Sequence, residues 1–167
     1  MADHVDRLVK QWGAERPDLD VSPMEVIGRL KRLSRLVEAE LKQNFAGHDL
    51  DAPSFDVLAT LRRSGPPYRL TPTGLMRSAM VTSGAITQRL DRLEARGLVT
   101  RTASGSDGRS REVALTPEGY ALVDRALPDH LATERRLLAG IDEAQTEALV
   151  EVLRTLLASL GDSPDEP

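Results

Sequence analysis

The length, composition and charge of the chain exclude several classes of protein. It has 167 residues, no cysteine and a formal net charge of −4, so disulfide bridges, thiolate metal sites and thiol redox chemistry are excluded. Since no apolar run reaches the roughly 20 residues of a membrane helix and the first residues lack the apolar core of a secretion signal, we expect one cytoplasmic domain over residues 1–167 that has no contact with a membrane.

Two helices are predicted in residues 1–52. Apolar residues at the three- and four-residue spacing of an amphipathic helix indicate the first one: Val5, Leu8, Val9 and Trp12. The second is longer and is predicted to begin at Ser22, as an N-cap with Glu25 in a capping box, and to end at Gly47. Both helices carry a wide aliphatic stripe.

Residues 53–115 have the order of elements of a winged helix-turn-helix. Helices are predicted from Pro53 to about Arg63, from Thr71 to about Ala79 and over 82–96, where Gly97 ends the third. Two short strands, 98–102 and 112–115, enclose the polar loop 103–110. Two helices joined by a tight turn and followed by such a wing are typical of DNA-binding lobes. The expected fold class is mainly α with a small β-wing.

The third of these helices is predicted to read DNA. At about 100° per residue, Ile86, Leu90 and Leu93 face the core, so Gly84 and Gln88 point outward. Small and polar residues at a helix start can approach base edges or bind phosphates. We therefore expect DNA contacts from Thr82, Ser83, Gly84, Thr87 and Gln88. An ordinary solvated helix face would explain each of these positions taken alone.

Arginines concentrated around this helix agree with a phosphate-binding surface. Residues 62–111 hold ten arginines and three acidic residues, in a chain that is acidic as a whole. In the predicted wing, Arg109 lies at the loop tip, where it suits a minor groove, and Arg111 is expected to contact phosphate. Arg89 differs, because its position on the helix turns it toward the core, where a guanidinium needs a ligand or an internal ion pair.

Two further helices are predicted after the wing. Thr116-Pro117-Glu118 begins a long helix with a bend at Pro128, and Asp142 begins a last helix that Gly161 ends before a disordered tail over 162–167. The apolar stripes of the first and last helices predict that residues 1–52 and 116–161 form the dimerisation region of a homodimer. An intramolecular bundle is the alternative that buries the same stripes.

The helix-turn-helix and the wing carry a family resemblance. The segments MVTSGAITQRLDRLEARGLVTR and SDGRSREVALTPEGYAL resemble the MarR family of regulators, and the likeness extends over about residues 25–160. It implies a mostly helical winged-helix homodimer that binds double-stranded, palindromic operator DNA, with the first and last helices at the dimer interface. The wing pattern of the family is met by Asp107, Arg109 and Ser110, in a loop with fewer proline, aspartate and arginine residues than is usual.

The N-terminal extension VDRLVKQWGAERPDLDVSPM resembles the urate-responsive subgroup of that family. This resemblance implies that a small anionic effector, such as urate, binds to four residues, namely Trp12, Asp56, Arg89 and Arg101. Two arginines suit a flat anion because they donate forked hydrogen bonds, and a tryptophan offers a stacking face. Three of these residues also have simpler interpretations. The tryptophan would pack in the core, the aspartate would interact with the helix dipole, and the strand arginine would contact phosphate. A tricarboxylate or an aromatic acid is the alternative effector.

An enzyme is not expected. The three histidines, His4, His48 and His130, are scattered, and we find no nucleophile motif, glycine-rich phosphate loop or metal-ligand cluster, so no catalytic, metal or cofactor site is predicted. The predicted function is a transcription regulator, a repressor as in most of the family, that an anionic effector releases from DNA. A helical protein-interaction adaptor without DNA binding is the remaining alternative.

Overall fold

The computed structural model describes residues 2–79, 86–104 and 110–162, and it divides the chain into two compact units, Met1–His130 and Leu131–Pro167. In chain order the elements are α1 (His4–Glu15), α2 (Pro23–Ala46), α3 (Ala52–Arg63), β1 (Arg69–Leu70), α4 (Pro72–Ser78), α5 (Ile86–Ala95), β2 (Val99–Ser104), β3 (Ser110–Leu115), α6 (Pro117–Leu138) and α7 (Glu143–Ser159). None of the helices in the described ranges is both long and apolar enough to cross a bilayer. The same ranges include no group of three His, Asp or Glu side chains placed to hold a metal ion.

The first two helices begin by different means. Asp3 caps α1 in a capping box, because its carboxylate accepts from the amide of Asp6 while the carboxylate of Asp6 accepts from the amide of Asp3. The capping box predicted at Ser22 is wrong. This residue already has helical backbone angles (φ −55°, ψ −34°), and its side chain makes no capping hydrogen bond. The predicted end of α2 at Gly47 is confirmed.

The wing strands belong to a three-stranded antiparallel sheet of order β1-β3-β2. The predicted pair of strands is confirmed, and β2 pairs with β3 along its whole length. The additional strand, β1, pairs Arg69 with Ala114 and Leu70 with Val113. With only two residues, β1 is too short to show the alternation of polar and apolar residues by which a strand is predicted.

The core of the first unit supports α5 from one side. Ile86, Leu90 and Leu93, the residues of α5 predicted to face inward, are all buried. They belong to one apolar cluster whose other members include Leu58 and Leu61 of α3, Leu75 of α4, Val99 and Val113 of the sheet, and Leu122 and Val123 of α6. Burial stabilises by about 25 cal/mol per Å² of apolar surface, so this contact favours one orientation of α5. The opposite face of the helix is exposed to solvent.

The start of α6 is tied to the turn that follows α5. Thr116 caps α6 as predicted, since its Oγ1 accepts from the Gly119 amide at 3.0 Å, and its hydroxyl also donates to the Gly97 carbonyl at 2.7 Å. The amide of Thr116 donates to the carbonyl of Leu98 at 3.2 Å. Gly119 lies so close to this carbonyl that an added Cβ would be 2.0 Å from its oxygen. The first turn of α6 and the α5–β2 turn therefore form one tightly packed block.

The second unit contains α7, whose ends are as predicted. Asp142 is the N-cap and forms a capping box with Gln145, and Gly161, just after the helix, has a φ of +89°, which glycine adopts without strain. No residue of α7 is buried, and its apolar residues Val152 and Leu157 are 64% and 49% exposed. The apolar side chains of α7 are therefore largely exposed to solvent.

Candidate DNA-binding and effector sites

The exposed side of α5 carries two of the predicted DNA-contacting residues. Thr87 and Gln88 are exposed, whereas Leu90 on the other side is buried. Arg111 is exposed on β3. The other predicted contacts lie outside the described residues, namely Thr82, Ser83, Gly84 and Arg109. The described part of the helix-turn-helix therefore has a polar helix face with an antiparallel strand pair packed beside it.

Arg89 is turned inward, as its position on α5 predicts. Its side chain is 14% exposed, and its Nε lies 3.9 Å from Oδ1 of Asp51, the N-cap of α3. Partial burial works to raise the pKa of Asp51, but hydrogen bonds from the side chain and amide of Ser54, together with the charges of Arg89 and Arg92, outweigh it and hold that pKa below its usual value. The carboxylate of Asp51 is thus a stable ionic partner for Arg89.

A second arginine joins α5 to the same α2–α3 loop. Nη1 of Arg96 donates to the carbonyl of Asp49 at 2.7 Å. Asp49 has a φ of +54°, a left-handed conformation that aspartate tolerates better than most residues. Arg96 directly follows the last residue of α5 and comes seven residues, about two helical turns, after Arg89. The helix is therefore held at its middle and near its C-terminal end by the loop that precedes α3.

Arg101 of β2 is held by carboxylates from the outer side of α5. Its side chain is 17% exposed, its Nη2 donates to Asp91, and its Nε lies 3.4 Å from Oε2 of Glu94. Its amide also donates to Oε1 of Glu94 at 3.2 Å. These contacts are not evident in the sequence, because they depend on β2 turning back beside α5. The one available signal is that Asp91 and Glu94 are two of only three acidic residues in the arginine-rich segment 62–111.

The other two predicted effector residues lie on α3 and α1. Asp56 is half-buried, and its Oδ1 lies 3.9 Å from Nη1 of Arg63. Trp12, in the last turn of α1, is 45% exposed. The ion pairs of the structure thus join Asp56, Arg89 and Arg101 each to a residue outside the predicted effector set.

Two more arginines of the basic segment are paired with carboxylates inside the fold. Nε of Arg62 lies 2.8 Å from Oδ1 of Asp124, and its guanidinium carbon lies 4.4 Å from the centre of the Tyr120 ring, within range of a cation–π contact. Nη1 of Arg69 lies 3.3 Å from Oε2 of Glu112. These contacts fasten α3 to α6 and β1 to β3, so part of the arginine charge is compensated locally.

Comparison with known proteins decides the family. Residues 48–110 match the sequence model of the MarR family. Over 149 residues the chain is 42% identical to the HTH-type transcriptional regulator PecS of Dickeya dadantii, which covers 89% of this chain and 90% of that protein. The chain belongs to the MarR family. The chain is also similar to the HTH-type transcriptional repressor YetL of Bacillus subtilis, at 28% identity over 86% of both proteins.

Solved structures of similar proteins share the fold. Sco3205, a MarR family transcriptional regulator from Streptomyces coelicolor solved in complex with DNA, superposes with a TM-score of 0.75 at 25% identity, over 85% of this chain and 90% of that one. BpsR of Bordetella bronchiseptica, whose DNA binding is regulated by 6-hydroxynicotinic acid, gives 0.71 at 26% identity, over 79% and 98%. The predicted MarR-type winged-helix fold is confirmed, as is the prediction of a transcriptional regulator rather than an enzyme.

Proposed function

We propose that this MarR-family chain is a repressor that binds palindromic operator DNA as a homodimer and leaves it when a small planar anion, such as urate, is bound. The observation that carries the DNA-binding part is the two-sided α5, with an apolar face in the core and Thr87 and Gln88 exposed on the other. The DNA complex of Sco3205, a protein of the same fold, supports it. In this proposal α5 enters the major groove and the β2–β3 loop reaches the minor groove.

The homodimer is supported by apolar side chains that the single chain leaves exposed. Val26 and Leu33 are exposed on α2, and Val152 and Leu157 are exposed on α7. Helices with such stripes are expected to pack against a second copy, because contiguous apolar surface is unfavourable in water. Two copies would present two α5 helices to half-sites about 34 Å apart, one turn of the duplex, which is why a palindrome is expected.

The effector site is proposed at Arg89 and Arg101, with Trp12 and Asp56 completing it. The 42% identity to PecS supports a shared mode of regulation, and BpsR is a similar fold that responds to a small aromatic acid. The state of the two guanidiniums also supports it, since each is less than one-fifth exposed and already faces a carboxylate. A guanidinium held in this way can exchange its carboxylate partner for an anionic ligand.

The partners of the two arginines indicate how an anion would act on α5. An anion at Arg89 competes with Asp51, which anchors α5 to the α2–α3 loop. An anion at Arg101 competes with Asp91 and Glu94, which link α5 to β2. Binding would therefore loosen α5 at two supports, whereas DNA favours the state in which both supports are intact. Such opposite preferences couple the two ligands, and each lowers the affinity for the other.

DNA binding is tested by gel shift and salt titration with the palindromic region upstream of the chain's own gene. Arg109→Ala and Arg111→Ala are each expected to weaken binding and to lower the slope of log K against log salt by about one. Arg35→Ala, which removes an exposed arginine of α2, is the matched control and should change neither quantity.

Gln88→Ala should lose about 1–3 kcal/mol of base preference while non-specific affinity changes little.

Two results would contradict this assignment. Arg111→Ala and Arg35→Ala variants with the same affinity and salt slope would remove the wing from the DNA interface. A wild-type chain that shifts no duplex even at low ionic strength would favour the protein-interaction adaptor.

The effector proposal is tested on the protein without DNA and then on the complex. Urate is expected to raise the melting temperature, since a ligand at 100 times its Kd stabilises by about 2.7 kcal/mol, and to release bound DNA. Arg89→Ala should abolish both effects, whereas Arg35→Ala should keep them. Citrate and benzoate, tested in parallel, distinguish the alternative effectors. If millimolar urate neither stabilises the protein nor releases DNA, urate is the wrong effector, while DNA binding is unaffected by that result.

A further inference from the structure

We propose that the groove between α1 and α2 is a second ligand site, for a small amphipathic carboxylate, separate from the site proposed at Arg89. The groove has a volume of about 290 Å³, which is near the lower end of the range for small-molecule sites. Its lining residues are His4, Val5 and Leu8 of α1 with Met24, Ile27, Gly28, Lys31 and Arg32 of α2. The floor is therefore aliphatic, and three nitrogen-bearing side chains stand around it.

Contacts behind the groove fix the distance between the two helices. Nε of Arg29 donates to Asp3 at 2.8 Å, and its Nη2 donates to Asp6 at 2.5 Å. Gly28 allows Val5 to approach closely, since a Cβ added to Gly28 would lie 3.0 Å from Cγ1 of Val5. Because the two ion pairs of Arg29 and a close apolar contact hold α1 against α2, the groove exists before a ligand arrives, and binding does not have to order its walls.

The charge around the groove favours an anion. None of the lining residues is acidic, and within the described ranges neither Lys31 nor Arg32 takes part in an ion pair. The nearby carboxylates of Asp3 and Asp6 are already engaged by Arg29. A ligand with an aliphatic body and a carboxylate at one end would match both the floor and the cationic rim.

His4 adds a hydrogen-bond donor to this rim. Nη2 of Arg7 lies 2.8 Å from Nδ1 of His4. A guanidinium can only donate, so Nδ1 accepts and the ring hydrogen is on Nε2. The imidazole of His4 therefore offers an N–H group to an incoming ligand, as a carboxylate requires.

The groove is on a different side of α2 from the surface proposed for dimerisation. With about 100° per residue, Gly28 and Lys31 lie on the side of α2 away from the exposed Val26 and Leu33, and Ile27 lies between the two sides. A second copy that covers Val26 and Leu33 would therefore leave Gly28 and Lys31 uncovered.

The proposal is tested by isothermal titration calorimetry, in which octanoate is titrated into the protein without DNA. We expect saturable binding of one octanoate per chain, weakened roughly tenfold or more in a Lys31→Gln/Arg32→Gln double variant. Arg35→Gln removes a cation from the same helix outside the groove and is expected to bind like the wild type. Octanol, which has the same chain and no charge, should bind at least tenfold more weakly. Leu8→Trp, which fills the cavity, should abolish binding while circular dichroism shows an intact fold.

Several outcomes would overturn the proposal. One is that millimolar octanoate gives no saturable heat of binding. Another is that the double variant and Arg35→Gln bind octanoate with equal affinity, and a third is that octanol binds as tightly as octanoate. Loss of the dimer in the double variant, measured by sedimentation, would assign the groove to a second copy. Octanoate binding that disappears in Arg89→Ala but persists in the double variant would belong to the proposed effector site, and that proposal would stand while this one fails.

Discussion

Replacing Gly119 with alanine is expected to lower the free energy of unfolding by about 3 kcal/mol. The added Cβ would lie 2.0 Å from the carbonyl oxygen of Leu98 and 2.9 Å from its carbon. Both groups are backbone, so neither can move away by a change of rotamer. Displacing Leu98 would also weaken the hydrogen bond that its carbonyl accepts from the amide of Thr116. Urea denaturation at fixed protein concentration measures the change.

Gly13→Ala is the matched control for this substitution. Gly13 lies inside α1, and a Cβ added there would meet nothing within 4 Å. Alanine is expected to stabilise that helix by up to about 1 kcal/mol through its higher helix propensity. The two glycine-to-alanine changes should therefore have opposite signs. Equal midpoints for both variants would contradict the close contact between α6 and the α5–β2 turn.

Leu93→Ala is expected to destabilise the chain by about 3 kcal/mol, as typical for truncating a fully buried leucine. Leu93 is 1% exposed and packs in the core cluster from the inner side of α5. The truncation removes apolar contacts that orient the helix proposed to read DNA, so we also expect weaker binding of operator DNA by the fraction that remains folded. Urea denaturation and gel shift below the unfolding midpoint measure the two effects.

Thr87→Ala is the control for the Leu93 variant on the same helix. Thr87 is exposed, so its removal is expected to change the free energy of unfolding by no more than about 0.5 kcal/mol while affecting DNA affinity directly. The two variants thus separate support of α5 from contact with DNA. A Leu93→Ala variant that unfolds at the same urea concentration as Thr87→Ala would be inconsistent with the buried inner face.

The helices could be predicted where apolar residues recur at helical spacing and a turn residue ends the pattern. In α5, Ile86, Leu90 and Leu93 define one buried face, and the inward direction of Arg89 follows from the same geometry. Local sequence also predicts the caps at Thr116 and Asp142. The cap predicted at Ser22 is wrong because Ser22 already lies inside a turn, closed by the hydrogen bond from the amide of Met24 to the carbonyl of Val21, and has helical angles there.

The contacts that support α5 could not be predicted, because they join segments that are distant in the sequence. Arg89 meets Asp51 only when α3 packs across α5, and Arg101 meets Asp91 and Glu94 only when β2 folds back. A helical wheel shows that a side chain faces inward but not which residue it finds there. The sequence therefore indicated that Arg89 needs a partner, and the fold identifies the partner.

The internal pairing of arginines changes the charge that DNA would meet. Residues 62–111 hold ten arginines, and among those that the structure describes, five face carboxylates within the fold, namely Arg62, Arg63, Arg69, Arg89 and Arg101. An arginine already neutralised by its own protein displaces few counterions from a duplex, whereas each free phosphate contact contributes about 0.9 to the salt slope. The ionic-strength dependence of operator affinity should thus be much shallower than the amino-acid composition alone implies.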